Sequence, residues 1–255
     1  MEEATKSYAV VTGANKGIGF EICRQLASKG IFVVLTARDE KRGVEAVQKL
    51  KDSGGLSDYV IFHQLDVADM IVNNAAVFGN QVDVDGLRAS VGKQVTRSSW
   101  SEISTQTYEL TEECLKINYY GAKKMAEALL PLLQLSDSPR IVNVSSLIGK
   151  LEEVTEEKVD EVLDQFLKDF KEGSLEIKRW PAQPSAYIMW KAAANAYSQM
   201  LAKKHPSFCI NCVCPGFVKT DMNFDTGYVP VEVGAKGPMR LALLPNGGTF
   251  GCFFS

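Results

Sequence analysis

Short apolar runs alternate along this chain with stretches whose apolar positions recur every three or four residues, the pattern of strands separated by amphipathic helices. Tyr8-Ala9-Val10-Val11 reads as a buried strand. From Ile18 to Lys29, Ile18, Ile22, Leu26 and Ala27 fall at helical spacing, and Gly30 is placed to end that helix. Ile31 to Thr36 reads as a second, parallel strand, and Ile71-Val72-Asn73-Asn74 and Ile141 to Ser146 as further buried strands. Phe208, Cys209, Ile210 and Val213 mark another. Strands alternating with helices in this way predict an α/β architecture.

The first strand-to-helix junction carries chemistry. Thr12-Gly13-Ala14-Asn15-Lys16-Gly17-Ile18-Gly19 stands between a strand and a helix N-terminus. There, backbone N–H groups and the positive end of the helix dipole face a phosphate. A plain strand-to-helix turn is the alternative reading. The end of the second strand selects the cofactor: an acidic residue there binds the ribose 2′-hydroxyl of NAD, whereas this chain has Ala37-Arg38. A guanidinium suits a 2′-phosphate, and Lys16 adds a second cation, so the sequence predicts NADP(H). The competing reading makes Arg38 a solvated surface charge beside Asp39.

Far downstream, Tyr187-Ile188-Met189-Trp190-Lys191 puts a phenol and an ammonium four residues apart, on one helical face. That pairing is a proton donor with its activator. Together with a dinucleotide seat it points to hydride transfer to a carbonyl. Taken singly, a Tyr and a Lys at this spacing also occur by chance on helices.

Gly13, Gly17 and Gly19, Asn73-Asn74-Ala75, Ser146, Tyr187 with Lys191, and Pro215-Gly216 occur in an order that resembles the short-chain dehydrogenase/reductase family from about Tyr8 to about Phe254. More narrowly, the chain resembles the plant branch that includes salutaridine reductase, neomenthol dehydrogenase and menthone reductases, beside the animal carbonyl reductases. The resemblance implies a Rossmann-type doubly wound parallel sheet, NADPH as hydride source and a ketone or aldehyde substrate. It makes Tyr187 the general acid, Lys191 the group that lowers the phenol's pKa and holds the nicotinamide ribose, Ser146 the donor to the substrate carbonyl, and Asn118 the holder of a water in the proton relay. It further implies that Gly13, Asn15, Lys16, Gly17 and Ile18 line the pyrophosphate. Arg38 would meet the 2′-phosphate. Asp66 and Val67, closing the third strand at Leu65-Asp66-Val67, would meet the adenine, and Asn74 and Ala75 the ribose. Pro215, Gly216, Val218 and Thr220 would hold the nicotinamide carboxamide.

Two departures stand out. Ala76 replaces a usual family glycine. The larger departure follows Asp66-Val67, where only Ala68-Asp69-Met70 precede Ile71, whereas the family has a full helix and the start of a strand. A parallel crossover ordinarily needs a dozen or more residues. In the expected strand order 3-2-1-4 the third and fourth strands sit about 14 Å apart, three spacings of ~4.8 Å. Seven residues reach that far only by crossing the carboxyl ends of strands one and two. The chain thus resembles a family member with roughly twenty residues removed, and its crossover between strands 3 and 4 is expected to be deleted. A tolerated deletion implies a fourth strand shortened to its last residues. The end at Gly251 to Ser255 also looks slightly early.

Composition fits one domain over residues 1–255: the chain is 45% hydrophobic and long enough to bury a large core. A net charge of −3 gives no basis for nucleic-acid binding. No apolar run approaches a membrane span and Met1-Glu2-Glu3-Ala4 has no signal pattern, which makes a cytoplasmic location the expectation. Cys209 and Cys212 have metal-like spacing, but they lie in a predicted buried strand and only two histidines exist, so core cysteines and no metal site are expected.

Two insertions bear on assembly and substrate. Forty residues separate Ser146 from Tyr187. Within them Val159, Val162, Leu163, Phe166, Leu167 and Phe170 form a helical apolar stripe that Thr155 caps and Gly173 ends. In the carbonyl-reductase-like branch such an extra helix covers the dimerisation face, which implies a monomer. Val77 to Thr107 forms the second insertion, a lid expected over the cleft and punctuated by Trp100. Trp180, Pro181, Pro184 and Met189 either wall the substrate site near Tyr187 or simply pack. The favoured reading is an NADPH-dependent carbonyl reductase for a bulky apolar, terpenoid or alkaloid ketone. The alternatives are a non-catalytic isoform that cannot hold NADPH and a reductase of conjugated C=C bonds.

Overall fold

The computed structural model describes residues 7–53, 55–56, 58–63, 70–90, 101–147, 155–245 and 247–255. Its first half runs β1 (Tyr8–Val11), α1 (Gly17–Ala27), β2 (Phe32–Leu35), α2 (Glu40–Asp52), β3 (Val60–Phe62) and β4 (Met70–Asn73). A small excursion follows: β5 (Gln81–Val82), α3 (Val84–Ser90) and β6 (Ser104–Thr105), in which β5 and β6 pair antiparallel. Then come α4 (Tyr108–Leu115), a π-helical segment (Lys116–Tyr120), α5 (Gly121–Leu133), β7 (Arg140–Val144), α6 (Glu156–Lys171) and α7 (Ser185–Lys204). The chain closes with β8 (Cys209–Val213), a 3₁₀ turn (Asp221–Asn223), α8 (Val231–Gly234), α9 (Lys236–Ala242) and β9 (Phe253–Phe254).

Seven strands form one parallel sheet in the order β3-β2-β1-β4-β7-β8-β9. The period of two along each strand sends neighbouring side chains to opposite faces. Val72, Val142 and Val213 join Ile22, Leu26, Leu50 and Met239 on one side, and Ile71, Ile141 and Ile210 join Leu115, Leu163 and Leu201 on the other. Both faces are therefore covered by helices, as a parallel sheet requires. The strand order reverses between β1 and β4, and the crevice at the carboxyl ends of these two strands is the place such a sheet offers a ligand.

Strand β4 keeps four residues, in register with Ala9–Val11 of β1 on one side and Arg140–Asn143 of β7 on the other. Only residues 63–69 separate it from β3, too few for a crossover helix. The predicted close of the third strand at Leu65-Asp66-Val67 lies outside the described residues, as do the assignments of Asp66 and Val67 to the adenine.

Helix α6 is the predicted insertion. Thr155 caps it by accepting from the Lys158 N–H, and Val159, Leu163 and Phe166 bury its apolar stripe against α4 and α7. A polar seam adds to this: Asp160 accepts from the Tyr119 hydroxyl at 3.0 Å and from Lys123 at 2.7 Å, and Glu156 pairs with Lys123 at 2.8 Å.

Candidate active site

The glycine loop is built at the crevice. Gly13 has φ +61° and lies so close to β4's exit that a Cβ there would meet Ala75 Cα at 2.7 Å, so only glycine fits. Thr12 is the hub of this junction: its hydroxyl accepts from the N–H groups of Asn74 (3.0 Å) and Ala75 (2.9 Å). Asn74 returns its amide to the carbonyls of Thr12 and Gly13. The sequence reading missed Thr12, and gave Asn74 only a ribose contact where its side chain also braces the loop.

Gly17 begins α1 with φ +59°, and a Cβ there would meet only the Thr220 methyl, at 3.6 Å. The loop after β8 thus closes on the N-terminus of α1, whose main-chain N–H groups are the donors a pyrophosphate would take. Asn15 and Ile18 are partly buried there, and Lys16 is exposed. Arg38, just past β2, is exposed and has no ion-pair partner among the described residues; Asp39 instead caps α2 by accepting from the Arg42 N–H.

On the far side, Pro215 and Gly216 carry the chain out of β8. Val218 is buried, with its N–H on Gly216 and its carbonyl taking the Asn223 amide. Thr220 donates its N–H to Asn223 at 3.1 Å, and the next residue, Asp221, forms an ion pair with Lys16. The glycine loop and the loop after β8 are thereby joined across the mouth of the crevice.

The residues expected to be catalytic come together around α7. Tyr187, in the first turn, shares a hydrogen bond with Ser146, which lies just past β7 and is buried. Burial pushes the Tyr187 phenol above its ordinary pKa, and the Ser146 hydrogen bond pulls it partly back. Lys191, one turn on, donates from Nζ to the Val144 carbonyl at 2.9 Å and lies 5.6 Å from the centre of the Tyr187 ring. Burial pushes its ammonium down to about 7.

Asn118 sits in the π-helical segment, and both ends of its amide are used. Its oxygen accepts from the Val77 N–H at 2.8 Å and its nitrogen donates to the Val77 carbonyl at 2.7 Å. The side chain thus braces the loop leaving β4, and the wider turn is what the pattern of apolar residues could not reveal.

Of the expected substrate wall, Trp180 instead packs on Phe166 at 5.4 Å and donates to the buried Asp169, while Met189 is buried in the core. Trp180 and Pro181 line a separate cleft of about 330 Å³ between α6 and α7, shared with Phe170, Leu175 and Ser185. The aromatic side chains against Tyr187 are Phe78, at 5.6 Å, and Trp190, at 5.8 Å. The lid insertion is described only at its ends, and Trp100 lies outside the described residues. Cys209 and Cys212 are buried in β8, and among the described residues no three metal-ligating side chains converge. No helix among the described residues is long and apolar enough to cross a membrane.

Comparison with known proteins gives the same picture. Residues 7–157 match the family described as short chain dehydrogenase. A (+)-neomenthol dehydrogenase of Arabidopsis thaliana is 55% identical over 291 residues, covering 100% of this chain and 98% of that protein. That span exceeds the chain's 255 residues by 36, so the relative carries residues with no counterpart here. A salutaridine reductase of Papaver bracteatum is 48% identical, covering 96% of this chain and 93% of its own. Among solved structures, salutaridine reductase of Papaver somniferum superposes with a TM-score of 0.90 at 45% identity, over 98% of this chain and 100% of that one.

Proposed function

The chain belongs to the short-chain dehydrogenase family, and on that premise we propose that it is an NADPH-dependent carbonyl reductase of bulky, apolar ketones of terpenoid or alkaloid type. The observation that carries the reading is the joined set of Ser146, Tyr187 and Lys191, standing at the crevice that the glycine loop walls. The relatives named as neomenthol dehydrogenase, salutaridine reductase and mouse carbonyl reductase [NADPH] 1 support it.

NADP(H), when bound, supplies the hydride. Gly13, Asn15, Lys16, Gly17 and Ile18 hold its pyrophosphate side, Arg38 and Lys16 its 2′-phosphate, Asn74 its ribose, and Pro215, Gly216, Val218 and Thr220 its carboxamide end. Asp66 and Val67 complete the adenine side in this proposal. Ser146 donates to the substrate's carbonyl oxygen and fixes it beside the phenol. Tyr187, its pKa raised by burial, is a neutral phenol at neutral pH and so has a proton to give to that oxygen as the alkoxide forms. The resulting phenolate is stabilised by Lys191, whose ammonium is held in place by Val144. Asn118 fixes the loop that borders this group, and in this proposal it also holds the relay water. Residues 1–255 act as one domain, as a cytoplasmic monomer without nucleic-acid or membrane partners.

The test is a titration of the purified chain with NADPH and NADH, followed by a ketone and enone panel. NADPH-preferred binding and alcohol products support the reading. Absence of binding assigns the chain to the non-catalytic class, and a saturated ketone from an enone assigns it to C=C reduction.

A further inference from the structure

We infer that Phe78 is a specificity-determining residue whose ring forms one wall of the substrate site and selects cyclic, apolar ketones over small open-chain ones; this rests on the reductase reading. Three groups surround the ring of Tyr187: Phe78 with centroids 5.6 Å apart and planes at 56°, Trp190 edge-on at 5.8 Å, and the Lys191 ammonium. Trp190 and Lys191 are buried beneath the helix, whereas Phe78 is only partly buried. Of these three neighbours of the phenol, Phe78 is the one that keeps exposed surface.

The ring does not hang on a loose loop. Val77, the preceding residue, has both its main-chain groups held by Asn118 at 2.8 and 2.7 Å. The Cys114 thiol lies 3.6 Å from the Val77 carbonyl and 3.8 Å from that of Phe78. The following residue, Gly79, has φ +81°, and a Cβ there would sit 2.7 Å from Cys114 Cβ and 3.4 Å from Ala186 Cβ. Ala186 is the residue before Tyr187. The loop bearing Phe78 is thus fastened both to the π-helical segment and to the turn that carries the phenol, so ring and phenol keep one spacing.

A wall of that kind discriminates by contact. A carbonyl whose oxygen reaches Tyr187 and Ser146 must lay its substituents along the Phe78 face. A substituted cyclohexanone covers that face, and a four-carbon open-chain ketone leaves most of it bare. Differences of a few methylenes in an apolar site translate into roughly 10- to 200-fold each in selectivity.

The experiment compares wild type, Phe78→Ala and Phe78→Leu with NADPH on 4-tert-butylcyclohexanone and 2-butanone. Expected is a fall of at least roughly ten-fold in the cyclic-to-acyclic ratio of kcat/KM for Phe78→Ala, partial recovery with Phe78→Leu, and unchanged NADPH binding by fluorescence titration. An unchanged ratio, or an equal fall on both ketones, overturns the inference. If wild type reduces neither ketone, nor any ketone of the wider panel, the reductase reading has failed. The wall is then judged by ultraviolet titration of the Tyr187 phenol, taken as the difference from Tyr187→Phe. Phe78→Ala should admit water and move that titration down toward a free phenol, and no movement overturns the inference on that arm too.

Discussion

Lys191, a buried lysine, donates its side-chain hydrogen bond to the main-chain carbonyl of Val144, 2.9 Å away. Burial pushes its pKa down to about 7, and the nearby Cys212, Cys214 and Cys114 pull the other way. In the unfolded chain a lysine titrates near 10.4. Between about pH 7 and that value the unfolded state binds a proton the folded state lacks, so this group makes the free protein more stable as pH rises. Below about 7 both states are protonated and the penalty of the buried charge is present in full. The buried thiols of Cys23, Cys114 and Cys212, all pushed upward by burial, work in the opposite direction above about pH 8.5. The difference between wild type and Lys191→Met isolates the lysine. Denaturant melts from pH 7 to 9.5 should show wild type gaining on the variant, and parallel curves would show that the ammonium is not desolvated.

Tyr187→Phe keeps the ring that packs on Phe78 and Trp190 but removes the proton donor. Carbonyl reduction should fall by roughly 10²- to 10⁴-fold, the range of general acid catalysis, while NADPH affinity changes little. Steady-state rates beside a fluorescence titration separate the two effects. A variant retaining half its activity would remove Tyr187 from the reaction.

Cofactor preference should respond to two sites in opposite senses. Arg38→Asp replaces the exposed guanidinium past β2 with a like charge to the 2′-phosphate. It should lower the NADPH-to-NADH affinity ratio by about 10²-fold, some 2.8 kcal/mol. Asp221 holds Lys16 in an exposed ion pair across the crevice mouth. Asp221→Asn frees that ammonium and should tighten NADPH by a few-fold, since exposed pairs are worth up to about 1 kcal/mol. The gain should shrink as salt is raised. Isothermal titration at two ionic strengths reads both, and an Asp221→Asn variant that binds NADPH more weakly would show the ion pair to be a clamp on the bound cofactor.

The sheet was legible because its strands carry short apolar runs closed by turn residues. Tyr8–Val11 matches β1 residue for residue, and Thr155 and Gly173 bracket α6 as their chemistry demands. Tyr187, Lys191 and Ser146 were legible by spacing and order, and the structure brings them into one cluster. Tertiary partnerships were not legible. Nothing local in Asn118 announces a π-turn or a two-bond grip on Val77, because the partner lies 41 residues away. The nearness of Trp180 to Tyr187 in sequence left a wall and a packing role equally open, and the buried carboxylate of Asp169, which holds its indole N–H at 2.8 Å and turns it to α6, decides for packing. Phe78 drew no notice because a single aromatic after a strand has no period to betray it. The shortened crossover was visible as a count of residues, and the survival of β4 follows from partners on both edges that hold its four residues in register.

Asn118 offers a stability test at a distance from the chemistry. Asn118→Ala takes the amide from both main-chain groups of Val77, leaving the carbonyl with the Cys114 thiol alone and the N–H without its acceptor, at roughly 1–3 kcal/mol for the group left unsatisfied. The melting temperature should fall by about 2–4 °C per kcal/mol for a domain of this size. Because Val77 precedes Phe78, kcat should fall more steeply than stability alone explains at temperatures well below the melt. A variant with a normal melt and normal kcat would show that the loop is held by Cys114 and Gly79 without the amide.

The inserted helix predicts the assembly state. Val159, Leu163 and Phe166 are buried against α4 and α7, and Asp160 draws Tyr119 and Lys123 into the same seam. A face already covered by sixteen residues of its own chain leaves no apolar area of that kind for a second copy. The chain should therefore sediment as a monomer at low micromolar concentration. Leu163→Ala should cost about 2–5 kcal/mol by opening a cavity under α6, seen as an earlier denaturant midpoint with no change in sedimentation. Asp160→Ala leaves Lys123 with Glu156 alone and takes the acceptor from the Tyr119 hydroxyl, so it should loosen α6 first. Hydrogen exchange should then rise along residues 156–171 before it rises in the sheet. A stable dimer of the unaltered chain would instead place the contact on another face.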